Sequence, residues 1–282
     1  MKLSLPAIAV LAALALGACS SGGSTPPSAA AVSAVASSSS GPASAQPAAL
    51  TIYGAASLKG VLDKVKTVYE TANSGTTLAI STDSSSALET QIEQGAPADV
   101  FLSADTTNPK ELVDKGLAEG AAVAFAGNKL TIIVPAANPA GIKTPADLAR
   151  SGVKVIAAGD AVPITKYATQ LVANLAKETA YPVNFVAAYA ANIVSREDNV
   201  NAVVAKIELG EGDAGIVYVT DAAASTKVTT IAVPDGANVP AGYAGVVVKA
   251  SRNAAAATAF LTWLAGPDGQ AILRTFGFLP PS

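Results

Sequence analysis

From Leu50 onward, short runs of β-branched and aromatic residues alternate with segments whose apolar residues recur at helical spacing. Segments 50–53, 77–81, 99–102, 130–134, 153–157, 215–219, 228–233 and 243–249 read as strands. Leu58, Val61, Leu62, Val65, Val68 and Tyr69 fall on one helical face, and Leu88 and Ile92 on another that stops at Gly95. Segment 109–117 reads as a helix with proline in its first turn. A short helix is expected at 145–150, and longer ones at 164–178, 199–209, 254–264 and 267–276. Strands that are nearly continuous apolar runs, each followed by a helix, predict an α/β fold with parallel sheets covered on both faces. No fixed-period repeat is visible, and the pattern alone fits one large sheet or two smaller lobes equally.

Before Leu50 the character differs. One lysine precedes an apolar run, 3–16, too short for a comfortable membrane span. It ends in Leu16-Gly17-Ala18-Cys19, which resembles the lipobox of bacterial lipoproteins and implies cleavage before Cys19 and lipid attachment to it. A plain secretory signal with a chance cysteine is the alternative. Residues 1–18 thus read as a signal peptide and 19–49 as the lipid-bearing cysteine with a Ser/Ala/Pro tether. No charged residue occurs between Lys2 and Lys59, and the tether has too little bulky apolar surface to offset the entropy of ordering it. The domain is therefore expected outside the cytoplasm, anchored to the cell membrane.

Composition narrows the chemistry. The chain of 282 residues has no histidine and one cysteine, which removes Ser-His-Asp and Cys-His nucleophile pairs, His-ligated zinc and internal disulfides. The net charge of −3 becomes −4 once the leader with Lys2 is removed, a balance that argues against a nucleic-acid partner. Function must rest on backbone groups, hydroxyls and carboxylates.

Four helix starts at strand ends are polar and uncharged. Ser57 stands after Gly54-Ala55-Ala56, where a cap hydroxyl and free amides can face one point. Asp83-Ser84-Ser85-Ser86 precedes Ala87-Leu88-Glu89; Ser86 and Glu89 match a capping box, which leaves two serines unexplained. The starts at Val162-Pro163-Ile164 and Asn199-Val200 offer backbone N–H groups. Each alone is an ordinary cap; together they are what a crevice site for a small anion needs. An enzyme would have to use Asp99, Asp105, Asp160 or Asp213 with Lys129 or Lys166, but their spacing requires no catalytic pair and caps explain them more simply. Trp263, Phe276 and Phe278 read as packing aromatics.

At these residues the chain resembles the periplasmic molybdate-binding proteins of ABC importers (ModA type). The likeness runs through Tyr53-Gly-Ala-Ala-Ser-Leu58, Ser84-Ser-Ser-Ala-Leu88, the specific stretch Gln91-Ile-Glu-Gln-Gly-Ala-Pro-Ala-Asp-Val-Phe-Leu-Ser-Ala-Asp105, Gly127-Asn-Lys-Leu130, Gly159-Asp160 and Asp213-Ala-Gly-Ile-Val-Tyr218. It implies a two-lobed periplasmic binding protein fold of type II, each lobe a mainly parallel sheet flanked by helices, with two hinge crossings. Lobe one would be 50–127 plus 221–282 and lobe two 128–220. The resemblance implies capture of molybdate or tungstate without a cofactor, enzyme activity or direct cation ligand, and delivery to the membrane subunits of an ABC importer. By matching motifs the oxyanion contacts fall on Ser57 and Ser85, the backbone N–H groups of Ile164 and Val200, and the Tyr218 hydroxyl. Delivery of one ligand needs no symmetry, so a monomer is expected. Sulfate or phosphate is the alternative ligand, and a surface lipoprotein binding a protein partner the alternative role.

Two departures from the family pattern stand out. The loop after Gly159-Asp160 is two residues shorter than usual, with Ile164 where a small residue is common. Asp83 precedes the serine run where a small uncharged residue is usual, and a carboxylate there would oppose a dianion unless turned away or neutralised.

Overall fold

The computed structural model describes residues 48–281; the leader, Cys19 and the tether up to residue 47 lie outside the described residues. Strand β1 begins at Ala48, so the expected tether end at 49 is two residues late. In chain order the described elements are β1 (Ala48–Ala55), α1 (Lys59–Ala72), β2 (Thr76–Asp83), α2 (Ser85–Glu93), β3 (Val100–Ser103), α3 (Thr107–Asp114) and β4 (Ala118–Asn128). Then come β5 (Leu130–Pro135), β6 (Val155–Ala158), α4 (Pro163–Leu175), α5 (Phe185–Ala191), β7 (Ile193–Glu197), α6 (Val200–Glu208), β8 (Ala214–Tyr218) and α7 (Val219–Ala223). The chain ends with β9 (Val228–Ile231), β10 (Ala241–Val248), α8 (Ala254–Ala265) and α9 (Pro267–Thr275).

The strands form two five-stranded sheets, ordered β2-β1-β3-β10-β4 and β7-β6-β8-β5-β9. Each defines one lobe of a type II periplasmic binding protein fold. The sheets are mixed, not mainly parallel: β1 runs parallel to β2 and β3, while β10 is antiparallel to β3 and β4. In the second sheet β6 runs parallel to β7 and β8, while β5 is antiparallel to β8 and β9.

Burial follows the apolar pattern. Leu50 and Ile52 of β1 are fully buried, as are Val155 of β6 and Val217 of β8. Helix α1 turns Val61, Leu62, Val65 and Tyr69 inward at the expected spacing. Tyr69 meets Phe260 and Trp263 edge-on, with ring centroids 5.0 and 4.9 Å apart. Phe278 is buried as expected, but Phe276 is exposed.

Two crossings join the lobes. The first is abrupt: β4 ends at Asn128 and β5 starts at Leu130. Its approach is held by the C-terminal tail, where Gly127 and Leu279 exchange both backbone hydrogen bonds at 2.7 and 2.8 Å. A Cβ at Gly127 would stand 2.8 Å from the Pro280 carbonyl oxygen, which is why glycine is needed there. The return crossing corrects the expected boundary at 220/221. Strand β9 pairs with β5 in the second sheet, so the chain returns between Ile231 and Ala241. The Asn238 side chain ties this segment to the first crossing, accepting from Leu130 N–H at 3.1 Å and donating to its carbonyl at 2.9 Å.

Candidate functional site

The carboxyl ends of β1 and β2 face those of β6, β7 and β8, and the polar helix starts meet between them. After β1 a 3-10 turn, Ala56–Leu58, precedes α1. Ser57 lies inside that turn and not at a cap, and its hydroxyl sits 2.9 Å from the Tyr243 hydroxyl. At α2 the cap is Ser84, whose oxygen accepts from Ala87 N–H at 3.3 Å. The expected Ser86–Glu89 capping box is not formed; Glu89 is buried and pairs with Lys115 at 3.3 Å. Burial and the neighbouring Glu93 push the Glu89 carboxyl up to about 7.

Ser85 opens α2 and is 1% exposed. Its oxygen accepts from Ala104 N–H at 3.0 Å. A hydroxyl has one donor and two acceptor positions, so its proton remains available to a third party.

On the facing lobe Pro163 opens α4 and Ile164 follows it; Val200 opens α6 behind the Asn199 cap, which accepts from Ala202 N–H at 3.1 Å. Amides in a first turn have no intrahelical acceptor, so both N–H groups point out of the helix start. Tyr218 ends β8, buried among aromatics: its ring lies 5.6 Å from Tyr243 and 6.3 Å from Tyr167. Its hydroxyl donates to the Ala104 carbonyl across the lobes at 3.4 Å. Burial holds its pKa well above the ordinary 10, so it stays a donor.

Ser57, Ser85, Ile164, Val200 and Tyr218 all line one small cavity of about 10 Å³, together with Ala55, Ala56, Ser84, Ala104, Val162 and Pro163. No charged side chain lines it. The short loop closes as a turn, with Val162 N–H donating to the Gly159 carbonyl at 3.0 Å, and Ile164 keeps its place in the wall. Asp83 is absent from that wall and lines the outer cleft. Its carboxylate accepts from Ser84 N–H at 2.7 Å and, across the lobes, from Asn199 Nδ2 at 3.1 Å.

Other groups span the cleft, of which Asn201 was not legible as a site residue and Asp105 and Lys166 only as acid–base candidates. Asn201 Nδ2 donates to the Ala56 carbonyl at 2.9 Å, and Lys166 Nζ lies 3.8 Å from Asp105 Oδ2. Ala104 contributes its backbone on both sides, to Ser85 and Tyr218; only its place after the polar strand end at Ser103 hinted at this.

The acid–base candidates are each engaged locally. Asp99 accepts from Thr51 N–H at 2.7 Å, Asp213 from Lys154 N–H at 2.8 Å, and Asp105 from Ser103 and Asn108. Asp160 pairs with Arg196 at 2.8 Å and Lys129 with Asp235 at 3.0 Å.

Known proteins share this arrangement of chain. A family model described as bacterial extracellular solute-binding protein matches residues 50–279. The molybdate-binding protein ModA of Mycobacterium tuberculosis is 34% identical over 234 residues, spanning 83% of this chain and 85% of that protein. YvgL of Bacillus subtilis, a putative ABC transporter substrate-binding lipoprotein, is 30% identical over 237 residues, 83% and 88% of the two chains. Among solved structures, the periplasmic molybdate-binding protein of Azotobacter vinelandii aligns with a TM-score of 0.70 at 26% identity, over 83% of this chain and all of that one.

Proposed function

The chain belongs to the bacterial extracellular solute-binding proteins, and on that premise we propose that it captures molybdate, with tungstate as a second ligand, in the cavity between its lobes. It would hand the ligand to the membrane subunits of an ABC importer, working as a monomer tethered to the membrane through lipidated Cys19. One observation carries the reading. Five residues from two lobes converge on one cavity, and what they offer is hydroxyl and backbone N–H without a charged side chain.

Such a cage suits a fully deprotonated oxyanion. Hydrogen bonds from fixed dipoles stabilise charge where water is excluded, and no counter-charge is required. Molybdate, tungstate and sulfate carry no proton near neutral pH. Phosphate retains one and needs a side-chain acceptor; the nearest candidate, Asp83, is held in the outer cleft by Ser84 and Asn199. The cavity admits about one water-sized body, so a five-atom anion seats with the lobes slightly further apart across their two crossings. The Leu-Gly-Ala-Cys run and the lipoprotein relative in Bacillus subtilis support the anchor.

A panel of molybdate, tungstate, sulfate, phosphate and chromate, read by thermal unfolding, tests this. A ligand bound by the folded state alone raises the midpoint with the logarithm of its concentration. Response to molybdate and tungstate alone supports the proposal. Response to sulfate or phosphate transfers the site to that anion, and silence across the panel overturns the oxyanion reading in favour of a protein partner.

A further inference from the structure

Lobe two holds a second cavity, larger than the first and separate from it. It has a volume of about 130 Å³ and lies between α4, α5, β6 and β7. An engineered apolar cavity of about 150 Å³ holds a benzene molecule, so this one is close to the size of a single ring. Ala158 and Ala168 leave the room, Ile193 adds apolar wall, and Ile164 separates this space from the interlobe cavity.

The wall is mainly apolar, and Asp160, Thr165, Thr169, Tyr189 and Arg196 bring polar groups to it. Tyr189 is 8% exposed, and its hydroxyl has no hydrogen-bond partner among the described residues. Every side-chain nitrogen or oxygen shut off from solvent does have a partner, so the Tyr189 oxygen opens onto the cavity it lines. Burial pushes its pKa up to about 12, which keeps it a donor, and Arg196 lines the same cavity. Arg196 stands at the rim, its Nη1 paired with Asp160 at 2.8 Å and its Nε and Nη2 without partners among the described residues. A guanidinium has five donors in a fixed fork, so it can keep Asp160 and take a second carboxylate.

We propose that this cavity is a second ligand site, for a monocyclic aromatic carboxylate. The ring fills the apolar interior, and the carboxylate takes the Tyr189 proton donor and the free edge of Arg196. A ring there would cover apolar wall now open to water, and the carboxylate would give the Tyr189 hydroxyl the partner it lacks among the described residues.

The test uses the purified protein with benzoate, toluene and acetate titrated into the millimolar range, read by thermal unfolding and by ligand-observed saturation-transfer NMR. Benzoate should bind saturably, toluene and acetate much more weakly. Tyr189→Phe should weaken benzoate about tenfold, the loss of one charge-assisted hydrogen bond. Ala190→Phe, on the exposed side of the α5 wall, should block binding while the far-UV spectrum and oxyanion response stay unchanged. No saturable benzoate signal, toluene binding as tightly as benzoate, or an unchanged response in Tyr189→Phe would each overturn the proposal.

Discussion

Replacing Ser85 by alanine separates two roles of one oxygen. That oxygen accepts from Ala104 N–H at 3.0 Å, and both residues are buried. Removing it strands a buried backbone donor, which costs about 1–3 kcal/mol. For a domain of this size 1 kcal/mol moves the midpoint by roughly 2–4 °C, so a fall of about 2–12 °C is expected without ligand. In the proposed site the hydroxyl proton would be offered to the oxyanion, and a hydrogen bond to a charged partner contributes roughly 1.5–3 kcal/mol. That predicts a loss of affinity of roughly 10- to 150-fold. Calorimetric titration with molybdate reads the second effect, and thermal unfolding without ligand reads the first. Ser57→Ala is the comparison. Its hydroxyl partner is the Tyr243 hydroxyl, which can rotate and which also lies 3.4 Å from Asn128 Nδ2, so affinity should fall similarly and ligand-free stability less. A lowered midpoint in Ser85→Ala with molybdate affinity within twofold of the parent would refute the assignment of Ser85 to the ligand.

Two further perturbations address the lobes and their junction. Asn199 caps α6 with its oxygen while its nitrogen donates to Asp83 across the cleft. Asp83→Ala should raise the molybdate dissociation rate roughly fivefold, for about 1 kcal/mol of lost latch, and Asp83→Asn, which keeps an acceptor, should recover most of it. Stopped-flow displacement checks this, and equal rates in both variants would remove the latch. Asp221 is buried near the crossings, and burial pushes its carboxyl from the ordinary 3.8 to about 7. Below about pH 4 it is protonated in both folded and unfolded chains. Between 4 and 7 only the unfolded chain ionises, so stability falls as pH rises, and above 7 the full cost, at most roughly 4 kcal/mol, is in place. Asp221→Asn keeps an acceptor for Tyr218 N–H and should gain more over the parent at pH 8 than at pH 5. A pH-independent difference in unfolding midpoint would count against it.

The fold was legible where burial dominates. Strands such as β5 and β8, and helices such as α1 and α8, have their apolar positions set by a fully covered face, and periodicity finds them. It failed where burial is partial. Half of β4 is exposed and reads Ala-Glu-Gly-Ala-Ala, which has no β-branched signal; pairing with β10 makes it a strand. Strand β7 is an edge whose half-buried Ile193, Ser195 and Glu197 alternate with exposed Val194 and Arg196, and α5 is seven alanine-rich residues fixed by buried Phe185 and Tyr189. The misplaced return crossing has the same cause: β9 is a short edge strand, and nothing local says which sheet it joins. The shift from Ser86 to Ser84 at α2 arose because three consecutive serines offer three caps, and tertiary contact selects one. Ser85 is drawn to Ala104, which leaves Ser84 at the cap.

The site was legible for a different reason, and only in part. Hydroxyls and free amides at helix starts are common, and nothing in a single start says that it faces another 100 residues away. The resemblance supplied the grouping of Ser57 and Ser85 with Ile164, Val200 and Tyr218; the two-lobed chain path brings them to one cavity. That division between lobes has an energetic consequence. In the proposed site lobe one would offer two of the five donors and lobe two three, Tyr218 by turning its proton from the Ala104 carbonyl, so either half alone would hold the anion by two or three hydrogen bonds against the cost of immobilising it and stripping its water. On that proposal binding to one lobe would be weak, and the approach of the second would complete the cage in one step. The lobes are also paired across the cleft by Asp83 with Asn199, Ala56 with Asn201, and Lys166 near Asp105. Pairs of this kind favour the approach of the lobes whichever anion is present, so in the proposed function they would bear on how long a ligand is held. Discrimination between anions must instead come from the donors and from the size of the space they enclose.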